Sequence, residues 1–292
     1  HEWGSLEVEE DPPPKPPPPE IDLGNRYPIP KRIALRQVEG AGQGVSYGTD
    51  YSTLEILFGP AYRPNHLLTM LDLRGHRFNN NTYGANAGIV TRYIKDGFCR
   101  LIGVNAYFDW RQGHHVRNNF YQLGIGLEAL GKRWDFRVNG YIPLGLKRFQ
   151  RTCVFDDYIG DFVAKKERKE WVFYGYNAEI GYTIGNDQKF FLYAAAGPYY
   201  LFGRFDHTAA GGKVRLRPQY KDYVAVDLSA SYDAFFKDVY QIQVIFSVPL
   251  YQITRLGTKK GPCGISDRQI YQPVERLEAM PLHRKTCWKT NF

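Results

Sequence analysis

Histidine and charged side chains are the residues of this sequence that could carry chemistry, and they suggest three kinds of site. The first is a Ser–His catalytic pair, for which His76, His114, His115 and His207 are the candidate bases. We find no serine that pairs with one of these histidines on one face of a predicted strand. We therefore expect that the protein is not an enzyme.

The second kind of site is a metal centre. His114 and His115 are adjacent in a polar loop, but two imidazoles without a third ligand make a weak metal site. The four cysteines form no C-x-x-C pair; they are Cys99, Cys153, Cys263 and Cys287. We expect no metal and no cofactor. Export would permit disulfides, and Cys263–Cys287 is the pair that we would test first.

The third kind of site is a polar lumen. Charged and amide side chains recur at every second position of several apolar segments, which places them on one face of a β-strand because successive side chains alternate. The residues that we assign to this inward face are Asp72, Arg74, Arg92, Asn105, Asp109, Arg111, Glu128, Arg137, Asn139, Asn177, Glu179, Lys213, Arg215, Arg217, Asp227 and Asp233. They could form a selective pore, or ion pairs that neutralise one another and contact a threaded segment. We favour the ion pairs, because side chains and one threaded segment fill much of a barrel of about twelve strands.

The strands that must position these side chains are clearest in Thr82–Leu144. One face of each strand is apolar and aromatic, whereas the other is polar, charged and rich in glycine. A soluble core would not accept the polar face without partners, but an apolar outside and a wet inside are typical of a transmembrane β-barrel. The residues that we assign to the lipid-facing surface are Ile102, Val104, Phe108, Trp110, Leu123, Ile125, Leu127, Val226, Leu228, Ile242, Val244 and Phe246.

The composition agrees with a barrel. Aromatic residues make up 15% of the 292 residues, a share that aromatic girdles at two membrane interfaces would explain. The sequence contains no run of about 18 apolar residues, so it predicts no membrane-spanning helix. The net charge of +8 is spread over strands, turns and the C-terminal region, so we expect no binding to nucleic acid.

We predict three regions along the chain. Residues 1–39 form an acidic and proline-rich N-terminal extension, because proline runs favour an extended polyproline II spacer. Residues 40–252 form an all-β transmembrane barrel of about twelve antiparallel strands, the first of them near Gly42–Gly48. Residues 253–292 lack alternation and form a C-terminal linker or tail, in or near the pore, with a short helix near Val274–Met280.

The predicted connections sort by length into two ends. Short turns lie at Gly131–Arg133, Gly185–Asp187 and Tyr220–Asp222, and longer loops lie at 113–118, 147–169 and 203–212. Outer-membrane barrels have short periplasmic turns and longer extracellular loops. We therefore expect 147–169, with the KKERK run at Lys165–Lys169, to be a solvated extracellular loop, followed by one strand over Glu170–Ile184.

Three stretches carry a resemblance to a known family. They are GVNAYFDWRQGHH at Gly103–His115, LGIGLEALGKRWDFRVNGYIPL at Leu123–Leu144 and NAEIGYTI at Asn177–Ile184. Together with Gly211–Lys237 and Pro273–Lys285 they resemble the inverse autotransporter β-domain, which is the barrel of intimin- and invasin-type adhesins. The resemblance extends over Gly40–Lys285.

The resemblance implies a non-enzymatic outer-membrane barrel of a Gram-negative bacterium that anchors and translocates a C-terminal segment to the cell surface. It also implies a periplasmic N-terminus after removal of a signal peptide. The implied partners are outer-membrane lipid, the barrel-insertion machinery, periplasmic chaperones and a host or cell-surface ligand of the loops. Few residues follow Lys285, so we expect either a translocator unit or a member without a passenger, and adhesion stays open. The alternative is a passenger-less porin or a structural envelope protein.

Overall fold

The computed structural model describes residues 28–40, 49–60, 67–95, 100–114, 118–145, 149–159, 162–184, 189–203, 208–252 and 267–290. Twelve strands form a closed antiparallel barrel. They are β1 (Pro28–Gly40), β2 (Tyr51–Pro60), β3 (Leu67–Phe78), β4 (Tyr83–Lys95), β5 (Arg100–Gln112), β6 (Asn119–Leu130), β7 (Trp134–Leu144), β10 (Tyr174–Ile184), β11 (Phe190–Phe202), β12 (Thr208–Tyr220), β13 (Val224–Asp233) and β14 (Lys237–Val248). The predicted fold class, an all-β antiparallel barrel, is confirmed.

The barrel closes where the first strand pairs with the last. β1 pairs with β14 from Ile33 opposite Val248 to Gly40 opposite Gln241. β7 and β10 are direct neighbours, with Tyr141 opposite Gly175 and Trp134 opposite Tyr182. Closure leaves no strand edge unpaired, which is what a sheet needs if it is to lie in hydrocarbon.

A second, three-stranded sheet lies outside the barrel wall. It contains β8 (Phe149–Ile159), β9 (Phe162–Val172) and β15 (Leu282–Thr290), in the order β15-β9-β8. Strands β8 and β9 form a hairpin inserted between β7 and β10. We call the end of the barrel that carries this hairpin the hairpin end, and the opposite end, where Pro28 lies, the N-terminal end.

The two faces of the barrel wall differ because side chains alternate along each strand. In β6 the outward residues Ile125 and Leu127 are 50% and 62% exposed, whereas the inward Gln122 and Glu128 are 0% and 4% exposed. An apolar outer surface of this kind suits lipid, and a charged interior must find its own partners. Among the described residues, none forms a helix long and apolar enough to cross a membrane.

The structure moves the predicted start of the barrel. Strand β1 begins at Pro28, so the boundary that we placed at residue 40 is too late. Its alternation is hard to read because the pairing with β2 shifts between Pro30 and Arg32, which changes the face of the following side chains. The strand predicted near Gly42–Gly48 lies outside the described residues, as do residues 1–27.

Two further predictions were wrong. The predicted loop 147–169 is largely the hairpin of β8 and β9, and the KKERK run lies in β9. The predicted strand Glu170–Ile184 spans parts of two strands, because the strand is interrupted at Phe173. The backbone N–H of Phe173 donates to the Pro281 carbonyl at 3.1 Å. Strand pairs outside the membrane need no apolar face, so the polar sequence gave no strand signal.

The C-terminal segment also differs from the prediction. A short helix, α1, spans Asp267–Ile270, and residues 271–281 have no regular secondary structure. We predicted the helix at Val274–Met280. The carbonyls of this segment accept hydrogen bonds from barrel side chains instead, as at Val274, Glu275, Glu278 and Met280.

Candidate functional site

The segment Arg268–Pro281, which we call the lumen segment, runs through the barrel from end to end. At the N-terminal end Arg268 pairs with Asp222, and Gln269 donates to the Gly131 carbonyl. At the hairpin end Arg111 donates to the Met280 carbonyl at 2.5 Å, just before Pro281 accepts from Phe173. The chain therefore enters the lumen at one end and leaves it at the other.

Apolar contacts hold the lumen segment near the N-terminal end. Ile270, Tyr271 and Val274 belong to one buried cluster with Tyr251, which follows β14 in a 3₁₀ turn (Leu250–Gln252), and with inward-facing residues of the barrel wall. The wall residues of this cluster are Leu57, Leu68, Met70, Val90, Ile94, Leu101, Tyr107 and Leu130. Each fully buried aliphatic side chain stabilises such a contact by about 1.5–3 kcal/mol.

Glu275 is the first of three charged residues in the middle of the lumen segment. Its carboxylate accepts from Arg215 Nη1 and from Arg217 Nη1, both at 2.5 Å. The same two arginines also contact Asp227 of β13, at 3.3 Å and 2.5 Å. Glu275 therefore completes a charge cluster on the β12–β13 wall in which two guanidinium groups share two carboxylates.

Arg276 makes the most directional contact between the lumen segment and the wall. Its Nη1 and Nη2 donate to Oδ1 and Oδ2 of Asp109 at 2.6 Å and 2.5 Å. The guanidinium also lies over the Tyr107 ring, 4.3 Å from its centroid. A planar two-point contact fixes orientation as well as charge, so this pair sets the register of the segment.

Glu278 pairs with the part of the wall formed by β1, β2 and β3. Its Oε2 lies 2.8 Å from Arg36 Nη2 and 3.1 Å from Arg74 Nη1, and Tyr51 donates to its Oε1 at 3.2 Å. Glu55 shares the same arginines, at 2.6 Å and 3.7 Å. The lumen segment thus carries the charge order minus, plus, minus at Glu275, Arg276 and Glu278, and each charge meets its opposite on the wall.

Wall side chains also bind the backbone of the lumen segment. Arg92 donates to the carbonyls of Ile270 and Gln272, the latter at 2.8 Å. Asn139 donates to the Glu275 carbonyl at 3.1 Å, and Asn86 to the Glu278 carbonyl at 2.9 Å. These contacts replace the hydrogen bonds that an extended chain would otherwise make with water.

One glycine of the wall makes room for the lumen segment. A Cβ atom placed on Gly124 of β6 would meet the Arg276 guanidinium at less than the sum of atomic radii. Any larger residue at this inward position would therefore push the guanidinium away from Asp109. This steric requirement explains a glycine in the middle of a strand, where glycine otherwise costs stability.

Residues near the hairpin end close around the segment as it leaves. Leu277 joins a buried cluster with Tyr141, Phe173, Tyr199, Leu201 and Ala209, and its N–H donates to Tyr141 Oη at 2.8 Å. Met280 packs with Phe120 and Val172, and Leu282 lies against them. Two cavities of about 180 Å³ and 70 Å³ remain beside the segment, the larger at the N-terminal end.

The predicted inward residues all lie on the inner face, and all but two of them fall into two groups. Those that contact the lumen segment through hydrogen bonds or ion pairs are Arg74, Arg92, Asp109, Arg111, Asn139, Arg215 and Arg217. Others pair within the wall: Asp72 with Arg74, Glu128 with Arg92, Arg137 with Glu179, Asn177 with Tyr141, Asp227 with Arg217 and Asp233 with Tyr199. Asn105 is buried and Lys213 lines the smaller cavity.

The predicted lipid-facing residues all lie on the outer face. Eight are exposed by at least 40%: Ile102, Val104, Phe108, Ile125, Leu127, Leu228, Ile242 and Phe246. Trp110, Leu123, Val226 and Val244 are partly covered by neighbouring side chains.

The sequence prediction missed the apolar part of the interior and the charges of the lumen segment. Leu68 and Met70 lie in the same alternating row of β3 as Asp72 and Arg74, so strand parity alone would have placed them inside. Glu275, Arg276 and Glu278 lie in a segment that we expected in or near the pore. Their alternating charges were the signal that could have predicted contacts with the charged inner wall.

The structure describes only some of the histidine and cysteine residues that we considered for chemistry. His76 lies inside the barrel, with Nδ1 2.8 Å from Thr53 Oγ1 and Nε2 2.5 Å from Asn86 Oδ1. Within the described ranges no group of three or more His, Cys, Asp or Glu side chains could hold a metal ion. Among the described residues, Cys153 and Cys287 form no disulfide, and because Cys263 lies outside those residues, the Cys263–Cys287 pairing stays a prediction.

At the N-terminal end, the protonation state of Tyr251, which follows the last barrel strand, determines a hydrogen bond to Asp222. Burial raises the pKa of the Tyr251 phenol, and the negative charge of Asp222 raises it further. The phenol therefore stays protonated and donates to Asp222 Oδ2 at 2.7 Å. Asp222 also pairs with Arg268, so it connects the wall to the start of the lumen segment.

A closed antiparallel barrel with an apolar outer surface and a charged interior defines the class of outer-membrane β-barrels. One solved chain, described as "Unveiling the Mechanism Behind the in-meso Crystallization of Membrane Proteins", has a TM-score of 0.56 and 17% identity, covering 87% of this chain and 100% of the other. An outer membrane channel from Pseudomonas putida F1 has a TM-score of 0.48 and 11% identity, covering 78% of this chain and 100% of the other. A KdgM porin in complex with disordered oligogalacturonate has a TM-score of 0.44 and 11% identity, covering 74% of this chain and 99% of the other.

The family is shown by a direct match. The family described as inverse autotransporter, beta-domain, matches residues 41–191, which is just over half of the 292 residues. The chain belongs to this family, and the resemblance found in the sequence is confirmed. No curated protein matches the chain.

Proposed function

We propose that the barrel anchors this chain in the bacterial outer membrane and carries its C-terminal segment through the lumen to the cell surface. The observation that carries the proposal is the course of the lumen segment, which enters beside Asp222 and leaves beside Phe173. In the proposed orientation the N-terminal end faces the periplasm and the hairpin end faces outward. Family membership supports this direction of export.

The mechanism needs no enzymatic step. Closure of the sheet satisfies the backbone groups that lie in lipid, and the inward charges give a hydrated path along which an extended chain can move. When the lumen segment arrives, its charges replace water around the wall charges, as at Arg276 and Asp109. The filled lumen does not favour the alternative of a passive porin. The barrel-insertion machinery and periplasmic chaperones are the partners that this function requires.

Display on intact cells tests the proposal. Two tagged versions of the full chain are compared, one with an epitope tag after Phe292 and the other with the tag before Pro28. We expect external protease to remove the C-terminal tag and to leave the N-terminal tag intact until the outer membrane is opened. Protection of the C-terminal tag, or removal of the N-terminal tag from intact cells, would contradict the proposal.

An unstructured peptide fused after Phe292 extends the test from the tail to a cargo. We expect an unstructured cargo to reach the surface. The matched control carries Gly124→Trp, which fills the space that Arg276 occupies and should reduce surface display while the barrel still assembles. Equal display from both chains would argue that cargo does not use the lumen.

A further inference from the structure

The hairpin β8–β9 is joined to the emerging chain along most of one edge. β15 pairs with β9 from Leu282 opposite Val172 to Thr290 opposite Ala164. The other edge of β9 pairs with β8. Strand β9 is therefore the central strand of the outer sheet only because the C-terminal segment lies beside it.

The exit from the lumen delivers the chain directly onto this edge. Phe173, the residue that joins β9 to β10, donates its N–H to the Pro281 carbonyl, and β15 starts at the next residue. No linker separates the last lumen contact from the first strand pair. A chain leaving the barrel thus meets β9 before it meets any other strand.

Side chains at the exit position the first residues of β15. His283 lies 4.4 Å from the Trp171 ring centroid and 4.7 Å from that of Phe235, and it meets Phe173 edge-on at 6.3 Å. Trp171 and Phe173 are buried, at 1% and 0% exposure. Aromatic contacts of this kind add about 0.5–1.5 kcal/mol beyond their buried area, so they favour one register of β15 on β9.

An edge strand without a neighbour presents a row of unpaired N–H and C=O groups, and an extended peptide binds such an edge through its main chain. Before the C-terminal segment emerges, β9 has this form. We propose that the β9 edge is a strand-capture site, which binds the first extended segment to leave the lumen and prevents it from sliding back. The occupant is residues 282–290 of this chain. The proposal rests on the proposed function and adds a second, external holding point to it.

Recognition at this site is mainly through the backbone. Such binding tolerates many side chains, which suits a site that must accept a moving chain, while the aromatic contacts of His283 select the final register. Capture would shift the balance between forward and backward movement as soon as one pair of residues forms. The lumen contacts of Arg276 and Glu278 then hold the segment behind the captured strand.

Neighbouring proline variants test capture in the full chain. In an edge strand, alternate N–H groups point toward the partner strand and toward solvent, so proline is tolerated at one position and removes a bond at the next. We compare Lys285→Pro with Thr286→Pro, using hydrogen exchange of residues 282–290 in lipid. One variant should exchange about fivefold faster, the ratio that corresponds to the loss of one hydrogen bond, and the other should match the unmodified chain.

Display kinetics give the second readout. The variant with faster exchange should expose a tag after Phe292 more slowly in a pulse-chase, and replacement of residues 149–172 by a short Gly-Ser turn should slow exposure further. Heat-modifiable gel migration verifies that each barrel is closed. Equal exchange in both proline variants, or unchanged display after hairpin replacement, would overturn capture alone. A tag that stays hidden in the unmodified chain would instead overturn the proposed function.

Discussion

The contact between Arg276 and Asp109 gives the sharpest prediction of how firmly the lumen segment is held. The change is Asp109→Asn, which keeps the size of the side chain and removes its charge. In the structure both groups are buried, with side-chain exposures of 3% for Asp109 and 1% for Arg276. The variant leaves a buried guanidinium without its carboxylate whenever the segment occupies the lumen.

The size of the effect follows from this burial. Removing one partner of a buried ion pair costs about 3–5 kcal/mol, because the other charge stays desolvated. When the segment leaves the lumen, water solvates Arg276, so the cost falls on the occupied state alone. Since about 1.4 kcal/mol is a factor of ten, release of the segment should become more frequent by about a hundredfold to several thousandfold.

Hydrogen exchange of the Leu277 amide measures this release. That N–H donates to Tyr141 Oη and is adjacent to Arg276, so it is protected only while the segment is in place. The matched control is Asp135→Asn, which makes the same chemical change at an ion pair within the wall, to Arg137 at 3.0 Å. We expect the control to leave Leu277 protected.

A second variant separates charge from packing. In Asp109→Asn combined with Arg276→Gln the buried charge is gone, and neutral replacements of buried pairs are often well tolerated. Protection of Leu277 should therefore recover in part. Exchange in Asp109→Asn that equals exchange in Asp135→Asn would show that this contact does not hold the segment.

Three further changes extend the account. Gly124→Val should displace Arg276 sterically and speed exchange at Leu277 as Asp109→Asn does; unchanged exchange would show that the wall yields at β6. Glu275→Gln removes the charge that Arg215 and Arg217 share, so hydrogen exchange should show a loosened segment while the barrel melts at nearly the same temperature; an unaltered exchange profile would argue against the shared cluster. Ile125→Arg places a charge on the outer face, and should lower the free energy of unfolding in lipid by about 2–4 kcal/mol near the bilayer midplane; an equal loss in the matched variant Ala234→Arg, at an exposed turn position, would contradict a lipid-facing assignment.

The barrel was predictable because its signal is local. Alternation along β5 and β6 places Ile102 and Ile125 outside and Asp109 and Glu128 inside, and strand parity is the same in sequence and structure. The family resemblance rests on the same stretch. Only local geometry is needed for these predictions, and β5 and β6 follow one another in the chain.

The rest depended on contacts between distant parts of the chain. β1 shows mixed alternation because of its shift at Pro30, and its place in the wall is fixed by β14. β9 and β15 are polar strands, and their place in the structure is set by pairing: β9 with β8, and β15 with β9. The partners of Arg276 and Glu278 lie more than a hundred residues away, and no periodicity in the sequence reports such a pairing.

Conductance in planar bilayers measures whether the C-terminal segment fills the lumen of an otherwise hydrated barrel. The comparison is between the full chain and a chain that lacks residues 253–292, both shown to be closed barrels by heat-modifiable migration. If the segment fills the lumen, we expect little current from the full chain and a large, stable current from the shortened one. Equal current from both, whether negligible or large, would contradict this expectation.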